Sequence, residues 1–233
     1  MTEPNEGMQA PVVTLDGPAG SGKSTTAKEV ARRLGFRHLD SGGLYRALTL
    51  ALLEAGTPRD EWASLTEEGM RALPVRVSRD GTEFSIEVGG RPVQAELRTP
   101  EVTAHVAFLA SLPASRACLL RLQRTAGEQG RLVADGRDMG SVVFPDADVK
   151  VYLVADLSER ARRRLVEGGV SEPSEDDVAR ESGVIAERDR HDSERELSPL
   201  RKPADAHLLD TTRLDFEEQV ATIVSLVEAL GAG

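Results

Sequence analysis

Hydrophobic residues recur along this chain with two different periods, and the switches between them outline a fold. Val12-Val13-Thr14-Leu15 is a continuous apolar run of strand length, and Ala27, Val30, Ala31 and Leu34 follow at i, i+3, i+4 and i+7. That stripe belongs to an amphipathic helix, which Gly35 stops. Phe36 to Asp40 predicts a short second strand, and Leu44, Ala47, Leu48, Ala51 and Leu52 predict a helix from about Ser41 to a stop at Gly56. After a polar connector from Pro58 to Glu68 the period drops to two: Val75 to Ser78 alternates, Arg79-Asp80-Gly81 turns, and Phe84 to Val88 alternates again. Gly89-Gly90 then turns into Arg91-Pro92-Val93. This pattern predicts a small antiparallel meander, a mobile insertion separate from any parallel sheet.

Helical spacing returns at Val102, Val106 and Leu109, and Arg116 opens a further helix carrying Leu119, Leu120 and Leu122. Leu132-Val133-Ala134 and Val149 to Val154 read as strands buried on both faces. Ser158 to Arg164 is an arginine-dense helix, Gly168 to Asp177 a connector rich in Gly, Glu, Ser and Pro, and another helix runs from about Val178. His207-Leu208-Leu209-Asp210 is the last strand, and Phe216, Val220, Ile223, Val224 and Val227 stripe a closing helix. Strands alternating with helices predict an α/β protein with a central parallel β-sheet flanked by helices.

Composition narrows the class. The 233 residues, 39% hydrophobic and 29% charged, suffice for one globular domain. A net charge of −10 argues against broad nucleic-acid binding, which needs a basic face. Cys118 is the only cysteine, so an internal disulfide is excluded; it reads as a small core residue, and a reducing compartment is expected. Residues 1–10 read as a disordered leader without an apolar h-region, and no run approaches a membrane span, so a cytoplasmic enzyme with no membrane partner is expected.

The chemistry starts at Gly17-Pro18-Ala19-Gly20-Ser21-Gly22-Lys23-Ser24-Thr25, a Gly-x4-Gly-Lys-Ser run between a strand and a helix. Its glycines let backbone N–H groups converge on phosphate oxygens at a helix N-terminus. Lys23 is placed to reach the β- and γ-phosphates and the Ser24 hydroxyl to ligate Mg2+. The run specifies a nucleoside triphosphate site but leaves the reaction open. Ser41, Tyr45 and Arg46 cluster at the start of the second helix, where an arginine strengthens an anion site, although Ser41 also fits a helix cap and Tyr45 a core position. Asp135-Gly136-Arg137-Asp138 ends a buried strand with an acid, as at the ligand-binding edge of open α/β sheets. Asp135 is placed to hold Mg2+, Arg137 to face the transferring phosphoryl group and Asp138 to face the acceptor. Arg188-Asp189-Arg190-His191-Asp192 and Arg195 concentrate arginines in an acidic chain, which reads as a phosphate clamp on a hinged lid or as salt bridges on a solvated helix. Arg98 and Arg116, each taken alone, also fit a solvated surface.

Together with Asp40-Ser41-Gly42-Gly43-Leu44-Tyr45-Arg46, Leu97-Arg98-Thr99-Pro100-Glu101-Val102, Asp135 to Gly140 and Phe144-Pro145-Asp146-Ala147, the phosphate loop resembles the bacterial cytidylate kinases, motif by motif from Val12 to about Leu230. The resemblance implies a single P-loop kinase domain over residues 11–233. Its core would be 11–57, 117–156 and 200–233, with a monophosphate-binding subdomain carrying the meander at about 58–116 and a helical lid at about 157–199. It implies Mg2+-dependent transfer of the γ-phosphoryl group of ATP to CMP or dCMP by a monomer. Gly17 to Thr25 and Arg163 would bind ATP. Ser41, Tyr45, Arg46, Arg98 and Arg137 would hold the acceptor, Arg116 and Asp138 would read cytosine, and Arg188, Asp192 and Arg195 would reach the pentose and phosphates. Two positions depart from the family: Ala107 replaces a serine that helps read cytosine, so base selectivity would rest more on Arg116 and Asp138, and His191-Asp192 replaces an Arg-Asp pair, which would either weaken the phosphate contacts or leave them to Arg190. Another acceptor, such as UMP or shikimate, and a nucleotide-switch protein are the alternatives; against the switch, the chain has no Asn-Lys-x-Asp run. A structural protein with a vestigial loop fits poorly with the coexistence of Lys23, Ser24, Asp135 and Arg137.

Overall fold

The computed structural model describes residues 10–80 and 83–231, so residues 1–9 of the expected leader and the tip of the first meander turn, Gly81 and Thr82, lie outside the described residues. The parallel sheet is built from β1 (Val12–Asp16), β2 (Arg37–Asp40), β6 (Leu132–Gly136), β7 (Val149–Val154) and β8 (His207–Asp210), in the order β2-β6-β1-β7-β8. Alternate residues of these strands feed cores on opposite faces, as a sheet covered on both sides requires. Val13, Leu15 and Val133 pack with Ala27, Val30 and Ala31 of α1 (Lys23–Leu34) and with Val220 and Ile223 of α8 (Phe216–Glu228). Leu39, Leu132 and Ala134 pack on the other face with α2 (Ser41–Glu54), α4 (Pro100–Ser111) and α5 (Pro113–Gly127). Cys118 is half-buried against that second core, as expected of a small packing residue.

The meander differs from expectation. β3 (Val75–Asp80), β4 (Glu83–Val88) and β5 (Arg91–Pro92) are antiparallel to one another, but β4 also pairs parallel with β2 at His38 and Glu83. The meander is therefore joined to the edge of the parallel sheet, because its inward residues Ile86 and Val88 are buried in the α2 core. Connecting it to α2 are a short 3-10 turn (Arg59–Ser64) and α3 (Glu67–Ala72). Trp62 from that turn is fully buried, with its ring edge-on to His105 at 5.6 Å and tilted over Phe108 at 6.4 Å, both on α4.

Two helix starts also move, and a third, that of α2, falls where expected. α5 begins at Pro113, three residues before Arg116, because proline at the first helical position already lacks the amide a helix start leaves unpaired. The helix expected from Val178 is α7 (Glu175–Glu194), opened by a capping box in which Ser174 and Asp177 serve each other's amides. α2 is capped by Asp40, whose carboxylate accepts from Gly43 N–H at 2.9 Å; Ser41 is its first helical residue and is buried. In α8 the expected stripe holds except at Phe216, which is exposed at the helix start. α4 and α5 meet at 92°, and among the described residues no single helix is long and apolar enough to cross a membrane.

Candidate active site

The carboxyl edge of the sheet is acidic by construction. β1 ends in Asp16, β2 in Asp40 and β6 in Asp135-Gly136, and the register sets Asp40 beside Asp135 and Asp16 beside Gly136. Each acid has a separate task. Asp16, fully behind the site, accepts from the amides of Met139 (2.9 Å) and Gly140 (2.7 Å) and so anchors the π-helical turn Met139–Val143 that follows Asp138. Asp40 caps α2. Asp135 accepts from Ser24 Oγ at 2.5 Å through one oxygen and contacts His38 Nε2 at 2.8 Å through the other.

Burial pushes the Asp16 carboxyl up to about 6, against the pull of its two amide bonds. Because its folded pKa lies above the unfolded one, the native state holds the extra proton between these values, and this group's contribution to stability declines as pH rises from about 4 to about 6. The two pH units correspond to about 3 kcal/mol. Urea unfolding at pH 4 and pH 7 is expected to show wild type losing about that much relative to Asp16→Asn on going to pH 7. The same difference between the two proteins at both pH values would refute it.

The phosphate loop lies between β1 and α1. Gly17 is held against β7: a Cβ there would stand 2.2 Å from the Leu153 carbonyl. Gly22, with φ 85°, turns the chain into α1. Lys23 is buried and donates to the Pro18 carbonyl at 3.0 Å, so its ammonium is folded back onto its own loop. Burial and the neighbouring Arg137 push it down to about 7. Asp135 moves the other way. Burial raises it, but the His38 and Ser24 hydrogen bonds and the Lys23 charge outweigh burial and hold the carboxyl below its usual value. Asp40, buried beside that charge, is raised.

In front of the loop lies a cleft of about 660 Å³. Ala19, Gly20, Gly22, Lys23, Ser24 and Thr25 form one end, while Gly17, Pro18 and Ser21 stand behind as the loop's frame. Arg46, Arg98, Arg137 and Arg188 line it, with Ser41, Tyr45, Asp135, Asp138, Asp192 and Arg195. Arg46 is held by the Leu97 carbonyl (3.0 Å) and Thr103 Oγ1 (2.9 Å). Ser41 accepts from Gln123 Nε2 at 2.8 Å. Arg137 donates to Asp192 at 2.8 Å, and Arg195 Nε donates to the Ser198 carbonyl at 2.6 Å. Asp192 is held below its usual value because Arg137, Arg188 and Arg195 outweigh burial. Among the described residues neither Arg98 nor Arg188 has an ion-pair partner, and burial together with Arg137 pushes Arg188 down to about 10. Crowded guanidinium groups, Arg98 and Arg188 without an ion-pair partner among the described residues, make a site for polyanions.

Arg116 lies outside the cleft lining, behind Asp138 and Tyr45: it forms an ion pair with Asp138, donates to the Ala110 carbonyl at 3.0 Å, and lies 5.7 Å over the Tyr45 ring. It borders a second, smaller cavity of about 130 Å³ that shares Tyr45 and Asp138 with the cleft. Ala107 lines the cleft and is exposed there, so no side-chain donor projects from that position.

Two arginines expected at the phosphates stand apart from the cleft lining. Arg190 is exposed and paired with Glu187 and Glu194 on the solvent side of α7, where His191 also meets Glu187. Arg163 is outside the cleft lining, held by Glu159 (2.9 Å) and by the Thr211 carbonyl (2.7 Å); a Cβ on Gly22 would stand 3.9 Å from it, so it borders the back of the loop. Asp40 and Arg164 line the cleft without having been singled out in the sequence. The signal for Asp40 was available, since it is an acid at the junction of a strand and a helix start.

The oxygens offered by Ser24 and Asp135 fit a hard divalent cation that takes its remaining ligands from phosphate and water. Among the described residues no group of three or more His, Cys, Asp or Glu could hold a metal by itself.

A family model described as cytidylate kinase matches residues 13–229. A cytidylate kinase of Exiguobacterium sibiricum is 42% identical over 216 residues, 93% of this chain and 96% of that protein. One of Bordetella pertussis is 44% identical over 92% of this chain and 94% of its own length. Against a bifunctional pantoate ligase/cytidylate kinase of Synechococcus the identity is 42% over 95% of this chain, which spans only 44% of that relative. A solved structure of an uncharacterized protein from Eubacterium ventriosum superposes with a TM-score of 0.51 at 10% identity over 94% of this chain and 99% of that one, a likeness of fold alone.

Proposed function

This chain belongs to the cytidylate kinase family, and from that premise we infer that it transfers the γ-phosphoryl group of ATP to CMP or dCMP, giving ADP and CDP or dCDP. The observation that carries the reading is the position of Arg137: its charge bears on Lys23 at the phosphate loop and on Arg188, while its Nε holds Asp192. A phosphoryl group passing along the cleft from the loop toward Arg46 would move among these cations throughout.

The loose transition state of phosphoryl transfer needs little covalent help, so positioning and charge neutralisation account for the catalysis. Lys23, released from the Pro18 carbonyl, would take the donor phosphates with the loop amides, and Arg163 would border the nucleotide from behind Gly22. Arg46, Arg98 and Arg137 would hold the acceptor phosphate beside Ser41 and Tyr45. The Arg116–Asp138 pair would read the cytosine edge, and Asp192 and Arg195 would reach the pentose. The acceptor oxygen is already anionic near neutral pH, so no general base is required. Ser24 and Asp135 would hold Mg2+, which supplies charge neutralisation on the donor phosphates when bound. The α6 (Leu157–Glu167) and α7 pair would serve as a lid that excludes water, the meander region as part of the monophosphate-binding subdomain, and the protein as a cytoplasmic monomer.

The test is ADP release with ATP and Mg2+ against CMP, dCMP, UMP, AMP, GMP and shikimate, with Lys23→Ala as blank. Fast release confined to CMP and dCMP is expected. Equal rates with UMP would assign the lost selectivity to Ala107, and rates independent of any acceptor would overturn the kinase reading.

A further inference from the structure

One ion pair outside the roles above joins segments far apart in sequence. Arg160 on α6 is paired with Asp189 on α7, and both reach the same residue of the phosphate loop. Asp189 Oδ1 accepts from the Ala19 amide at 2.9 Å, and Arg160 Nη1 donates to the Ala19 carbonyl at 2.9 Å. Arg160 is steadied further by Nε on the Ala155 carbonyl at 3.0 Å. The apolar contacts agree: the Ala19 methyl is buried in one small core with Ala161, Val178 and Ile185, and a Cβ on Gly20 would stand 2.9 Å from the Arg160 carbonyl. Both polar groups of Ala19 and its side chain are thus engaged by the α6–α7 pair.

Two physical consequences follow. A lone carboxylate at a loop built for anions would repel a triphosphate, and the Arg160 guanidinium neutralises it. Asp189 directly follows Arg188, and consecutive residues of a helix diverge by about 100°. Fastening Asp189 to the loop fixes the rotation of α7, which in turn directs Arg188 into the cleft.

We propose that Arg160 and Asp189 are positioning residues that clasp the Ala19 residue, locking the phosphate loop to the α6–α7 pair and aiming Arg188 at the transferring phosphoryl group. The Arg188 part rests on the kinase reading above; the loop part rests on the contacts alone. The test compares Arg160→Ala, Asp189→Ala and the double variant by steady-state kinetics and by ATP dissociation without acceptor, read by equilibrium dialysis. Each single variant is expected to lower kcat and weaken ATP by about 10-fold each, with the CMP KM changed less than about 2-fold. Arg160→Ala, which strands the carboxylate, should bind ATP more weakly than the double variant, a recovery that a merely structural role would not give. Unchanged kcat and ATP dissociation in Asp189→Ala, or a double variant that binds ATP worse than Arg160→Ala, overturns the proposal. If Arg160→Ala does not fold, Asp189→Asn, which keeps an oxygen for the Ala19 amide, should retain more ATP affinity than Asp189→Ala, and the reverse order overturns the clasp. A wild-type protein indifferent to CMP would defeat the acceptor reading and still leave ATP dissociation to judge the clasp.

Discussion

Lys23→Ala is expected to lower kcat by about 10³-fold, the scale on which a preorganised charge acting on a phosphoryl transition state contributes. Lys23 is buried at the loop end of the cleft, and its charge is costly there, as the depression to about 7 shows. Without a ligand the ammonium is satisfied by the Pro18 carbonyl at 3.0 Å. A bound triphosphate would replace that carbonyl with oxyanions, so the charge the fold disfavours becomes one the reaction uses. Alanine removes both the charge and the stem. Single-turnover transfer from ATP to CMP separates this loss from weaker ATP binding. A rate within about 10-fold of wild type at saturating nucleotide would show that Lys23 only assists binding.

The second large effect is expected at Arg188, where alanine should lower kcat by about 10²-fold or more while the KM for ATP changes little. Among the described residues this guanidinium has no ion-pair partner, and Arg137 and burial both act against its charge. A cation held under such pressure is strongly attracted to the equatorial oxygens of a transferring phosphoryl group. Arg188→Lys should recover part of the rate, since it restores a point charge without the planar fork. A kcat within about 3-fold of wild type in the alanine variant would remove Arg188 from the chemistry and leave it a binding role.

Which parts of this were legible beforehand follows the range of the interactions involved. The loop, the parallel strands and Asp135 were legible because each is set by neighbours a few residues away: glycines at fixed spacing, an apolar run, an acid at its end. The start of α7 at Glu175 was missed because Ser174 and Asp177 cap it inside a segment whose composition is that of a connector. The attachment of the meander to β2 could not be read from alternation, which gives the face of a strand and not its partner. The fate of the arginines was the least legible. Arg188 and Arg190 are two residues apart on one helix, yet one enters the cleft and the other meets Glu187 and Glu194 in solvent. Only the rotation of α7 about its axis separates them, and that rotation is fixed by Asp189 against a loop 170 residues away.

Trp62 is the sole tryptophan of the chain, and it is sealed between His105 and Phe108 on the helix whose opposite side presents Thr103, Ala107 and Ala110 to the cleft. The protein therefore carries a single indole, placed behind the α4 wall of the cleft and away from the phosphate loop. Excited at wavelengths the two tyrosines do not absorb, its emission is a label-free optical readout of that wall, free of overlapping signals from any other indole.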